Sequence, residues 1–333
     1  MSVSKQYFAM RTQFCFLIPF FAVAIMSTHA GAQSAVVGGS PILGYVFDRS
    51  AERLRPIRGV PGGATIGDPL DAGFAIQQAA VASQKAYALA IAAGNVRLIR
   101  WNPSLATTDL PVTGVPSAVY LSPQGTAAAV IADGWMGLIT SMDTATPQIA
   151  GVPLDAQPVQ AAVSDDGAYL LAALPDGSAV LFGKDATRTT LPAPAPVSLV
   201  AFRPGSTDAL AASTDNRVWL IQHTDSAPAF TQLAESADGV ADPVALGFVP
   251  GTNRAVIANS GGAIQTIDTA LGTRSSVSCA CKPVHLEPMS TPGVFRLTTA
   301  LAEPQYLFDG TSGQMFFVPA LPPKHTVERR PRN

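Results

Sequence analysis

Apolar and polar residues alternate along this chain in short blocks, and the same block order returns about every forty residues. Each copy has a small apolar strand, a polar turn, a second apolar strand, and a turn built from Asp, Gly or Asn. The clearest copies are Val119-Tyr120-Leu121-Ser122-Pro123-Gln124-Gly125 and Ala162-Val163-Ser164-Asp165-Asp166-Gly167. Taking the apolar residue just before the first polar turn as a marker gives Val81, Leu121, Val163, Phe202, Phe248 and Leu286, spaced 40, 42, 39, 46 and 38 residues apart. Around two markers the copies align without gaps, so that Val81 and Tyr87 match Val163 and Tyr169.

Within each unit the second and third strands are separated by residues that tolerate positive φ, which tight hairpins require. These pairs are Gly94-Asn95, Asp133-Gly134, Asp176-Gly177, Asp215-Asn216 and Gly261-Gly262. The third strand then runs into an aspartate followed by small residues, at Asp143, Asp185 and Asp268. Such an aspartate can accept from the backbone two residues on and close a turn. Gly-Val-Pro recurs at 59–61, 114–116 and 151–153 and reads as a connector in which proline ends an outer strand without losing a ladder donor.

Four short strands per unit of about forty residues predict an all-β fold, a β-propeller of four-stranded antiparallel blades. The alanine and valine bias is read as belonging to the strands around the crowded central channel. The markers define six units. Leu43 to Asp48 and Leu54 to Ile57 read as a third and a fourth strand with no first pair ahead of them, which gives seven blades, with six as the alternative. Through Leu121–Gly125 and Val163–Gly167 the chain resembles bacterial propeller repeats of the YVTN and WD-like type. That resemblance implies an extracytoplasmic propeller from families of unknown role.

The ends differ from the repeats. Lys5 and Arg11 precede an apolar run, Phe14 to Met26, and a small-x-small site at Ala30-Gly31-Ala32, so residues 1–32 read as a secretory signal peptide. The run is shorter than the roughly 20 residues that span a bilayer, which favours release over anchoring. Residues 33–42 read as a flexible leader, 43–320 as a single propeller domain, and 321–333 as a proline-rich basic tail. The expected location is extracytoplasmic, periplasmic or secreted. Charged residues are 13% of the chain against roughly 25% in ordinary soluble domains, and the net charge is −2, so nothing favours nucleic acid.

Chemistry is sparse in this pattern. Two cysteines lie beyond the signal, Cys279 and Cys281, and three readings of them stand side by side. An exported protein with an even cysteine count suggests a disulfide, although Cα atoms two apart in an extended strand lie near the outer limit of about 6.8 Å. With His285 and Met289 they form Cys-x-Cys-x3-His-x3-Met, a ligand set suited to copper or zinc. Otherwise they are two small apolar thiols packed between blades.

Ser213 to Trp219 partly resembles the Asp-box turn of propeller glycosidases, and it also reads as an ordinary hairpin with a packed Trp219. Asp165-Asp166 is a carboxylate pair, but it sits where turns want aspartate. His223, His285 and His325 accompany no Gly-x-Ser-x-Gly elbow, and no phosphate or dinucleotide loop is present. The sequence therefore favours a binding or scaffold module for an extracytoplasmic protein or small ligand, without a cofactor. A propeller enzyme, lactonase-like or acting on glycans, is the alternative, and metal handling through Cys279, Cys281 and His285 a minor one.

Overall fold

The computed structural model describes residues 41–322. The signal peptide, most of the leader, and residues 323–333 lie outside the described residues. The described chain is built from strands, with one short 3-10 turn at Ser236–Asp238. Seven antiparallel sheets follow one another along the chain, each with its strands in sequential order. They are the seven blades of a β-propeller.

Blade 4 shows the pattern in full: Gln160–Val163, Tyr169–Ala173, Ala179–Gly183 and Arg188–Thr190 lie side by side. Blades 2 to 7 each have four strands and cover residues 78–110, 116–153, 160–190, 197–234, 243–278 and 287–318. Neighbouring blades meet through their first strands, as Gln160–Val163 does with Val197–Phe202.

The five glycine, asparagine and aspartate hairpins all join second to third strands. Ala93, Gly94, Gly134, Gly177, Asn216 and Gly262 take the positive φ that these turns demand. Asp185 and Asp268 accept from the backbone two residues on, at 3.2 and 2.9 Å. At the corresponding place in blade 3 the turn closes differently, with the Thr144 N–H and hydroxyl both donating to the Ser141 carbonyl.

Several expectations are corrected. The alanine-rich strands, such as Ala128–Ala132 and Ala209–Ser213, are second strands rather than channel strands, and every residue of these two is buried. Covered on both faces by neighbouring blades, they leave room only for small side chains. The Gly-Val-Pro connector also divides: Pro153 ends an outer strand, Pro116 opens a first strand, and Pro61 turns the chain inside blade 1. The last marker moves as well. In blades 2 to 6 the residue after the marker donates its N–H back across the turn, as Ala82 does to Tyr87 and Ser164 to Tyr169. In blade 7 the donor is Met289, paired with Val294, so the true marker is Pro288 and not Leu286.

Blade 1 departs from the rest. Its strands are β1 (Ile42–Asp48), β2 (Arg53–Val60) and β3 (Gly63–Ile66), and it is the one described sheet with three strands. β1 begins on the face that carries the first-to-second-strand turns, where the Ser290 N–H reaches the Leu43 carbonyl at 2.8 Å. It ends on the opposite face, where the Glu52 carbonyl receives the Ile76 N–H just ahead of blade 2. β1 therefore runs in the direction of a second strand, and β3 packs beside the outer strand of blade 7. Leu43–Asp48 and Leu54–Ile57 thus occupy second and third places, not third and fourth. The aspartate turn misleads here: Asp48 accepts from Ser50 and Ala51 just as Asp309 accepts from Thr311 at a third-to-fourth turn.

Candidate functional site

The first strands of blades 2 to 7 converge on the central channel, and at their ends they enclose a cavity of about 220 Å³. Its wall includes Val81, Leu121, Val163, Phe202, Phe248 and Leu286, the same residues that mark the repeats in the sequence. Pseudo-symmetry explains the coincidence: the last residue of each first strand points to the same place on the axis. Phe295 of blade 7 joins them, and Pro123, Pro204 and Pro250 from three of the turns form the rim. Twenty residues line this mouth, and none carries an ionisable side chain. Such a surface can hold apolar groups and has no acid or base to offer a reaction.

The rim is held by one side chain. Asp165, in the first turn of blade 4, accepts from the Gln124 N–H of blade 3 at 2.8 Å and from the Gly205 N–H of blade 5 at 2.7 Å. Its own carbonyl accepts from the Thr126 hydroxyl at 2.6 Å. Asp166 is committed locally, to the Ser164 hydroxyl and the Ala168 N–H. The carboxylate pair of the sequence is thus a staple and a turn. Replacing Asp165 with alanine is expected to cost about 1–2 kcal/mol, because two N–H groups exchange a charged acceptor for water. Urea unfolding measures the loss, and amide exchange at Gln124 and Gly205 should rise with it.

The cysteine segment lies on the opposite face, in the connector from blade 6 to blade 7. Cys279 and Cys281 are bonded sulfur to sulfur, and their Cα atoms are 5.0 Å apart, closer than an extended strand allows. The chain bends at Ala280 and has left the outer strand Arg274–Ser278. Gly262, at φ +97°, permits this: a Cβ there would stand 2.7 and 2.8 Å from the Cys279 and Cys281 carbonyls. A recess of about 600 Å³ beside the pair is lined by Lys282, Thr298, Glu303 and Tyr306.

His285 and Met289, grouped with the cysteines in the sequence, go elsewhere. Met289 is buried at the other face with its methyl against Gly44. His285 packs beside a buried polar cluster in blade 7, where its Nε2 is 4.0 Å from Glu287 and has no hydrogen-bond partner. Burial lowers its pKa to about 4, with Glu287 opposing the shift and Arg296 adding to it. Arg296, 3% exposed, donates through Nε to Glu287 at 2.7 Å and through Nη1 to Gln305 and the Thr298 carbonyl. No periodicity announces this cluster, since Glu287, Arg296 and Gln305 come from three different strands. Among the described residues, no three His, Cys, Asp or Glu side chains gather closely enough to share a metal ion.

The remaining candidates fall apart in space. His223 is exposed in the turn from the third to the fourth strand of blade 5, and His285 is in the connector to blade 7. His325 lies outside the described residues. Ser213 to Trp219 is the second-to-third hairpin of blade 5, with Asp215 bonded to Ser213 and Arg217 and with Trp219 buried.

No family model and no curated protein sequence matches the chain. In fold it is similar to the crystal structure of a functionally unknown protein from Desulfotomaculum acetoxidans DSM 771, with a TM-score of 0.59 and 11% identity over 84% of this chain and the whole of that one. At that identity the likeness concerns architecture: both are propellers.

Proposed function

We propose that this chain is an extracytoplasmic β-propeller binding module of the YVTN and WD-like repeat type that captures a protein partner at the apolar channel mouth. The observation that carries the reading is the mouth itself, a converging apolar wall of one residue per blade with no ionisable side chain. Its volume of about 220 Å³ is below the roughly 300–1,000 Å³ of pockets that enclose small ligands. One or two apolar side chains of a partner fill it better than a free metabolite. The exposed Gln84, Lys85 and Gln124 around it supply the polar rim that surrounds the apolar centre of a typical interface. The location is supported by the basic, apolar and small-residue order of residues 1–32.

The test is recovery of partners by the tagged protein after cross-linking in intact cells, compared with Leu286→Lys and Leu121→Lys. Both positions are partly exposed, so a matched urea midpoint shows that the fold is intact. The proposal expects the proteins enriched by the native chain to be lost with either variant. Equal recovery by native and variant chains of equal stability would overturn it.

A further inference from the structure

We propose that Gln33-Ser34-Ala35-Val36, in the leader, forms the missing first strand of blade 1 and closes the inner ring of the propeller. The place for it is defined by described residues. β1 runs as a second strand, yet no first strand lies inside it among those residues, and the mouth is lined from blades 2 to 7 without a contribution from blade 1. At that place Gln84 of blade 2 reaches across to the Ser290 carbonyl of blade 7 at 3.1 Å, so the two neighbours of blade 1 meet directly.

The edge that would receive the strand can be read from β2. The carbonyls of Glu52, Leu54 and Pro56 point outward, to the N–H groups of Ile76, Leu70 and Gly67. The alternate residues Arg53, Arg55 and Ile57 therefore bond Asp48, Val46 and Gly44 of β1. That alternation turns the N–H and carbonyl groups of Tyr45 and Phe47 toward the inner side, where no described residue pairs with them. An edge of this kind is a template for another strand.

The leader carries the matching sequence at the matching distance. Gln33-Ser34-Ala35-Val36 repeats Gln78-Ala79-Ala80-Val81 and Gln160-Ala161-Ala162-Val163, the first strands of blades 2 and 4. Five residues, 82–86 and 164–168, separate those strands from the second strands at Tyr87 and Tyr169. Five residues, 37–41, likewise separate Val36 from the start of β1 at Ile42, and they include Gly38, Gly39 and Pro41, which suit a turn. From Val36 to Val81 is 45 residues, within the 39 to 46 that separate the other markers. In blade 4 the glutamine that opens the strand accepts the Val200 N–H of the next blade at 2.7 Å, which gives Gln33 a use as well.

The test is amide hydrogen exchange across β1 in the chain beginning at Gln33, compared with Ala35→Pro, which removes a ladder donor and fixes φ. The proposal expects Tyr45 and Phe47 to be protected in the first protein and to exchange about tenfold faster or more in the second, roughly the worth of one lost hydrogen bond. Leu171 in blade 4 serves as an unaffected reference. Equal, rapid exchange of Tyr45 and Phe47 in both proteins would overturn it. Protection that tracks a dimer in size-exclusion chromatography with light scattering would overturn it too, by making a second copy the donor.

Discussion

Arg296→Met is expected to lower folding stability by about 3–5 kcal/mol, the range seen when one partner of a buried ion pair is removed. The guanidinium is 3% exposed and serves four acceptor contacts: two to one Glu287 oxygen, one to Gln305 and one to the Thr298 carbonyl. Methionine fills much of the volume but donates nothing, so Glu287 keeps a charge with no counter-ion beside it. Removing both charges together, as Arg296→Met with Glu287→Leu, should restore a large part of the loss, because an apolar pair needs no compensation. Urea unfolding of the single and double variants measures both effects. A single-variant loss under about 1 kcal/mol, or a double variant no better than the single, would show that the cluster does not hold blade 7 as described.

The second large effect is a pH dependence. His285 has its pKa lowered to about 4 by burial, against about 6.5 when unfolded. Between those values the unfolded chain binds a proton that the folded chain refuses, so stability rises with pH across this window. The contribution is therefore fully present above about pH 6.5, is lost as pH falls through the window, and levels off below about 4. The loss amounts to about 3 kcal/mol. His285→Gln lacks the titrating group and should lose less between pH 7 and pH 4, the carboxylates contributing equally to both proteins. Parallel losses in the native and variant chains would contradict the burial of His285.

Most of the propeller is legible in the sequence because its hairpins demand particular residues. Asp133-Gly134 and Gly261-Gly262 have few other uses between apolar runs, and they place second and third strands correctly. Where such chemistry is weak, the reading slips. Blade 7 opens with a strand of two residues, Glu287–Pro288, and its turn holds Ser290, Thr291 and Pro292, so alternation alone pointed to Leu286. Blade 1 misled for another reason. Asp48 closes its turn in the manner of a third-to-fourth corner, and only strand direction, which depends on the whole ring, shows otherwise.

The site was half visible. Val81, Leu121, Val163, Phe202 and Phe248 stood out as repeat markers, yet a marker in one blade says nothing of the axis until six of them meet. The Cys-x-Cys-x3-His-x3-Met spacing suggested one cluster, but the bend at Ala280 and the following strand send Met289 to the opposite face. Sequence proximity fails there because a blade connector and a first strand together cross the full height of the propeller.

The central claim is that the turn face, with its apolar mouth, is where the partner binds. The most direct measurement places a photo-activated cross-linking amino acid at Gln124 on that face and, separately, at Asp133 on the opposite face, both exposed, and compares adducts formed in intact cells. The account predicts a discrete protein adduct from Gln124 that disappears with Leu286→Lys, and none of that mass from Asp133. Adducts from Asp133 alone, or the same adducts from both positions irrespective of Leu286, would contradict it.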